Sequence, residues 1–228
     1  MKICALSDTH GMYPSLKIDK CELLFICGDI IPLKAQRNIP QSISWFKKRF
    51  IPWCTSQPVK HIYLVGGNHD FFLEKSPSEI KDMLAGTNIT ILYNEGAEYV
   101  DDNGKPWTIW GSPLCHIFGN WAFMYSDEYN KSQYEKMPEN VDFLITHDAA
   151  YGASDVLLQK DCSWTNGEHI GNKILGEIIK RKTPKYHFHG HLHSTSREFE
   201  LLGETKTINC SLLDEFYDPA YKPIYLDL

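Results

Sequence analysis

Five short polar groups in this 228-residue chain carry side chains able to hold a metal ion or move a proton. They are Asp8-x-His10, Gly28-Asp29, Gly67-Asn68-His69-Asp70, His147 and Gly190-His191-x-His193. Imidazole nitrogen and carboxylate oxygen suit first-row divalent cations, and imidazole is also the commonest general acid or base. Each group has an ordinary alternative. Gly-Asp often marks a turn. Asp-x-His is a common tripeptide, and a surface turn can contain two histidines. What they share is position, because each follows a short apolar run. Five weak signals at five strand ends, in one consistent order, do not arise easily by accident.

The runs that must position them are residues 2–7, 23–27, 61–65, 143–146 and 185–189. Short apolar stretches bounded by glycine and polar residues read as buried strands. In open α/β sheets, functional groups gather at the carboxyl ends of such strands. Helix-like segments lie between them. Residues 41–54 carry Ile43, Phe46, Phe50 and Ile51 at helical spacing. Residues 78–85 follow Pro77, with Ser76 as a candidate N-cap. Residues 169–182 place Ile170, Ile174, Leu175, Ile178 and Ile179 on one face, with basic residues in the last turn. The middle of the chain reads differently. Segments 89–92, 97–100 and 107–110 are strand-like, and Asp102-Asn103-Gly104 is a hairpin turn between the last two. Segments 196–201, 206–209 and 223–227 repeat that style, so antiparallel strands are expected in the middle and at the end. The class is α/β, with two sheets face to face and helices outside. No repeat or linker divides the chain, so residues 1–228 read as one domain.

Composition limits the functions that fit. The formal net charge is −6, and a long nucleic acid normally meets a basic surface. Lys47-Lys48-Arg49 and Lys180-Arg181-Lys182 read as solvated helix faces. The seven cysteines are odd in number and form no C-x-x-C pair, which fits buried free thiols in a reducing compartment. Neither a signal-peptide core nor a membrane-spanning run is evident, and the expected location is cytoplasmic.

The order D-x-H, G-D, G-N-H-D, H, G-H-x-H resembles that of calcineurin-like metallophosphoesterases from Asp8 to His193. Ile109-Trp110-Gly111-Ser112-Pro113, Asn120-Trp121-Ala122-Phe123 and Thr146-His147-Asp148-x-x-Tyr151-Gly152 are similar to the 239-type small phosphodiesterases of that superfamily. The resemblance implies a four-layer αββα sandwich of two mixed sheets. It implies one metal held by Asp8, His10 and His193, a second by Asn68, His147 and His191, and Asp29 bridging both. Mn, Fe, Zn or Ni would suit these ligands, with manganese favoured. A water between the ions, deprotonated near neutral pH, would attack phosphorus. His69 would be the general acid for the leaving oxygen. Asp70 would either orient His69 or accept loop hydrogen bonds. His116 and Asn120, with Trp121, are candidates for touching substrate. His61 and His169 read as structural, and His187 and His189 as packing or supporting residues. The implied substrate is a small phosphodiester, a nucleotide derivative included, or a phosphomonoester. A protein phosphatase and a non-catalytic metal-binding scaffold are the alternatives.

Overall fold

The apolar runs that precede the polar groups form parallel strands buried on both faces, which is why they read as continuous rather than alternating. The computed structural model describes residues 1–157 and 167–228. The first half contains β1 (Lys2–Leu6), β2 (Cys21–Cys27), α1 (Ile39–Trp45), α2 (Ile51–Ser56), β3 (Val59–Val65), α3 (Phe71–Lys75), α4 (Pro77–Leu84) and β4 (Ile89–Ile91). The second contains β5 (Glu95–Val100), β6 (Pro106–Ser112), α5 (Asp127–Tyr134), β7 (Phe143–Thr146), α6 (Lys173–Lys182), β8 (Tyr186–His189), β9 (Glu200–Leu202), β10 (Thr205–Asn209) and β11 (Ile224–Asp227).

One sheet runs β11-β1-β2-β3-β4 and the other β5-β6-β7-β8-β10-β9. In the first, β1 to β4 are parallel and β11 is antiparallel to β1. In the second, β6, β7, β8 and β10 are parallel, with β5 and β9 antiparallel at the two edges. Both sheets are therefore mixed. Side chains alternate faces along a strand, and the cores follow that period. Leu23, Phe25 and Cys27 of β2 meet Phe143, Ile145 and Phe188 of the opposite sheet. The Phe25 ring lies 5.2 Å from Phe143 and 5.4 Å from Phe188. Leu24 and Ile26 turn the other way, into a core shared with Phe46, Phe50, Phe72 and Ile80 of the first helical layer. Leu144 likewise faces Tyr134, Leu175, Ile178 and Ile179 of α5 and α6. The order of layers is helix, sheet, sheet, helix, as the resemblance implies.

Several expectations need correction. The strands 107–110 and 206–209 are parallel members of the second sheet, and only their outer partners are antiparallel. The segment 41–54 is not a uniform α-helix. Between α1 and α2 one turn, Phe46–Phe50, is a π-turn closed by Ile51 N–H donating to Phe46 O. Pro52 lacks an N–H and its ring crowds the preceding turn, which accounts for the wider loop. Ser76 precedes α4 but makes no side-chain cap bond. The last helix starts at Lys173, not residue 169, because Asn172 caps it by accepting from Leu175 N–H. The strand expected over 196–201 shrinks to β9. Lys182 is not solvated either. It is buried, and its ammonium donates to the carbonyls of Glu135 and Met137 at the end of α5. Cys4, Cys21, Cys27, Cys54, Cys115 and Cys210 are buried free thiols, and Cys162 lies outside the described residues. Among the described residues, no helix is long and apolar enough to cross a membrane.

Candidate metal centre

Because β1, β2 and β3 of one sheet and β7 and β8 of the other end at the same rim, the loops that follow them converge. Asp8, His10, Asp29, Asn68, His69 and His147 are all buried there, with His191 and His193 half-buried at the edge. Hydrogen bonds between the loops lock them together. Asp8 N–H donates to Gly28 O and His10 N–H to Asp29 O, each at 3.0 Å. His191 N–H donates to the Asp8 carboxylate at 3.0 Å. The glycines allow this closeness. A Cβ on Gly67 would collide with the Asp29 carboxylate, and one on Gly190 with Ser7 and Asp8.

Four of the implied ligands have left-handed backbones. Asp8 has φ 54°, His10 42°, Asp29 51° and His191 71°. Non-glycine residues rarely adopt this region, and each instance costs on the order of 1–3 kcal/mol. The side chains obtained in return aim at one point. Asp29 Oδ2 lies 3.3 Å from His147 Nε2, 3.7 Å from His10 Nε2 and 3.8 Å from His69 Nε2. Asp8 Oδ1 lies 3.2 Å from His193 Nε2, and Asn68 Oδ1 lies 2.9 Å from His147 Nε2. His191 stacks edge-on against His147, with ring centroids 5.1 Å apart.

The donor set fits divalent cations. Asp8, His10 and His193 offer ligand atoms within 4.8 Å of one another, as do Asp8, Asp29 and His147, and also His10, Asp29 and His69. His10 is only 4% exposed, yet among the described residues neither ring nitrogen has a hydrogen-bond partner. A buried polar atom without a partner is costly, and a cation would satisfy it. His147 and His193 show the outer support that metal-binding imidazoles use. Nδ1 of His147 donates to Cys27 O at 2.8 Å, and Nδ1 of His193 to Asp214 O at 2.7 Å. Each ring therefore presents Nε2 to the cluster. Ser211 Oγ steadies Asp8 by donating to Oδ2 at 2.7 Å.

The electrostatics agree with this division. Burial alone would raise the carboxyl of Asp8, but His193, with His147 and His10, holds it well below the ordinary range. Burial also opposes ionisation of Asp29, yet His147, His69 and His10 keep its carboxyl low. Burial lowers His10 to about 4, and burial with the neighbouring His147 lowers His191 to about 4. Both are thus neutral at pH 7, the form in which an imidazole can accept a cation. His147 behaves oppositely. Burial disfavours its charge, but Asp29 and Asp8 raise it to about 10. With Nδ1 committed to Cys27, its Nε2 must carry a proton to face two oxygens. A cation has to displace that proton, so binding at pH 7 should release about one proton per chain at His147. Affinity should rise with pH until about 10. Calorimetry in buffers of different ionisation enthalpy reads this directly, and heats independent of buffer would contradict it.

Other candidates lie elsewhere. Asp70 does not touch His69. Its carboxylate accepts from Gly67 N–H at 2.9 Å, Ile31 N–H at 3.0 Å and Ile30 N–H at 3.2 Å, tying two site loops together. Its carboxyl is raised to about 7, chiefly by burial and then by Asp29. His116 lines a cavity of about 680 Å³ beside the metal cleft, where its Nδ1 pairs with Asp148 at 2.9 Å. Asn120 offers its carbonyl to Arg37 at 2.9 Å. The cleft itself, about 420 Å³, is walled by Phe118, Trp121 and Tyr217 instead. His187 bridges Thr146 and Thr207 at 2.8 Å each, and His61 bonds Thr90 at 2.8 Å. His189 bonds Gly190 O at 3.1 Å, and His169 pairs with Asp155. Gln36, Ser211 and Tyr217 had no sequence signal. Tyr217 sits at φ 65° with its ring 5.0 Å from both His10 and His193.

Comparison with known proteins gives the same answer. Residues 1–195 match the family model described as calcineurin-like phosphoesterase. The chain is 27% identical over 255 residues to a UPF0046 protein of Caenorhabditis elegans, all of the chain aligning to 60% of that protein. It is 25% identical over 247 residues to metallophosphoesterase domain-containing protein 1 of Homo sapiens, of which it spans 71%. Among solved structures, one superimposes with a TM-score of 0.62 at 18% identity, covering 94% of this chain and 91% of its own. Phosphopantetheinyl hydrolase of Mycobacterium tuberculosis superimposes with a TM-score of 0.55 at 13% identity, covering 92% and 88%. The structural matches speak for the fold, and the family match for the chemistry. The chain belongs to the calcineurin-like phosphoesterases, a family of metal-dependent phosphoester hydrolases.

Proposed function

We propose that this protein hydrolyses a small phosphodiester with two divalent first-row cations, manganese being the first to test. The observation that carries the reading is the orphaned, buried His10 imidazole among Asp8, Asp29 and His193. One ion would take Asp8, His10 and His193, the other Asn68, His147 and His191, with Asp29 between. Bound there, the ions supply Lewis acidity, lowering the pKa of water and offsetting charge on phosphate oxygens. The chain's own residues do the rest. Asp8 and Asp29 provide the negative charge that selects cations. His147 and His193 are held by backbone carbonyls so that only Nε2 faces inward. His69 stands at the cleft wall as general acid.

The cleft favours a diester over a monoester. Neither Lys nor Arg lies among its described lining residues, while Glu215 does. Among the described residues, a monoester dianion would find no cationic side chain in that lining. A singly charged diester needs none, and Phe118, Trp121 and Tyr217 offer flat apolar walls to its organic groups. A nucleotide-derived diester fits that description. We propose a cytoplasmic setting, consistent with the buried free thiols.

The test compares bis(4-nitrophenyl) phosphate with 4-nitrophenyl phosphate after loading with manganese. Faster diester turnover, abolished by a chelator and restored by manganese, is expected. Faster monoester turnover would overturn the diester reading. Metal binding without turnover of either would favour a scaffold.

A further inference from the structure

Gln36 lies in the loop between β2 and α1, in a stretch held by its own neighbours. Ala35 N–H donates to Pro32 O at 2.8 Å, Asn38 N–H to Ala35 O at 2.8 Å, and Ser42 Oγ to Ala35 O at 2.9 Å. From this anchored turn the Gln36 side chain crosses to the loop after β3, where Nδ1 of His69 donates to its Oε1. The His69 ring is confined on other sides as well. Trp121 lies 4.7 Å away, and His10 meets it edge-on at 5.0 Å. The opposite nitrogen, Nε2, faces the cluster 3.8 Å from Asp29 Oδ2. Of these contacts, the one with Gln36 is the hydrogen bond to a ring nitrogen, and it engages Nδ1. Packing by Trp121 and His10 would tolerate a flipped ring equally well.

We infer that Gln36 is a positioning residue that fixes the rotamer and tautomer of His69, so that Nε2 points into the cleft. The inference rests on the general-acid reading of His69. In that step the imidazolium gives its Nε2 proton to the departing oxygen as the P–O bond breaks, and the bond's electron pair stays on that oxygen. The ring left behind is the Nδ1–H tautomer. Gln36 Oε1 accepts from Nδ1–H before and after the transfer, so the ring has no reason to turn. Being an amide, Gln36 does this without placing a further negative charge beside Asp29.

Two measurements test it, and the first does not involve turnover. Nitrogen-15 spectra of the metal-free protein at pH 8, with His69 assigned by its loss in His69→Ala, report which ring nitrogen holds the proton. The wild type should show the Nδ1–H tautomer, and Gln36→Leu a mixture or the reverse. The second is kinetic, on diesters with good and poor leaving groups. Gln36→Leu should lower kcat for a phenyl ester about tenfold with KM within twofold, and a 4-nitrophenyl ester less than threefold. Gln36→Glu, which keeps an acceptor oxygen in place, should restore the phenyl-ester rate. Gln36→Asn, one methylene short, serves if the leucine variant does not fold, and should shift the tautomer in the same direction. An unchanged tautomer, or equal losses on both esters, would overturn the inference. Absence of hydrolysis by the wild type would instead remove the general-acid reading, and the spectra would still decide whether Gln36 sets the ring.

Discussion

Asp29→Asn should remove both cations and lower turnover at least ~1000-fold, about 4 kcal/mol in the barrier. The effect is large because of where the carboxylate stands. Asp29 Oδ2 is within 3.8 Å of Nε2 of His10, His69 and His147. An amide there brings no charge and can turn an N–H toward the cations. The substitution is also clean. Asp29 has a left-handed backbone at φ 51°, a conformation that asparagine accepts readily. Its Oδ1 accepts from His69 N–H at 2.8 Å, and the asparagine carbonyl can do the same. Folding should therefore survive while binding fails. Elemental analysis should find about two ions per chain in the wild type and fewer than one in Asp29→Asn, with unchanged circular dichroism. Two ions and a normal rate in the variant would refute the bridging role. Loss of one ion alone would show that Asp29 serves a single site.

Much of this candidate centre was legible because each candidate ligand group follows a strand buried on both faces. Such strands leave an uninterrupted apolar run, and the first polar residues after it stand out. Asp8, Asp29, Asn68, His147 and His191 announce themselves in that way. The strand pairings were less legible. β6 and β10 look like hairpin strands in sequence, since each has an antiparallel partner nearby. Their parallel partners, β7 and β8, are set by contacts between distant segments that no local pattern encodes. The π-turn at Phe46–Phe50 follows from Pro52, whose missing N–H was present in the sequence but masked by good helical spacing.

Supporting residues were the least legible. Ser211 reaches Asp8 and Gln36 reaches His69 only through the tertiary fold, and Ser and Gln carry no positional signature. Asp70 carried two readings, orienting His69 or accepting loop hydrogen bonds, and its surroundings match the second. It adjoins His69 in sequence, so a role in orienting that ring was natural to expect. The chain turns sharply after Gly66-Gly67, and the carboxylate instead faces the backbone of Gly67, Ile30 and Ile31. His116 stands back from the histidine cluster. It belongs to the aromatic loop beside the cleft, but Phe118 stands between it and His191, with centroids 5.4 and 5.0 Å away. Neighbours in sequence are thus poor guides to neighbours around the candidate metal centre, except where a strand end fixed the direction.

His69→Ala separates the two roles that geometry leaves to this ring. His69 belongs to one triad of potential ligands, with His10 and Asp29, and it also lines the cleft where an ester would lie. As a ligand, it would take a cation with it when lost. As an acid, it would leave both cations in place and slow only the departure of the leaving oxygen. The second result is expected. Its Nδ1 is engaged by Gln36 rather than by a backbone carbonyl, unlike the Nδ1 atoms of His147 and His193. The fold should tolerate the change, because the bond from residue 69 N–H to Asp29 Oδ1 needs no side chain. Metal content should stay at the wild-type level. Turnover of a phenyl diester should fall roughly 100- to 10,000-fold, the range of general acid catalysis, and that of a 4-nitrophenyl diester much less, since nitrophenolate departs without a proton. A fall in bound metal would make His69 a ligand, and equal losses on the two esters would deny it the proton transfer.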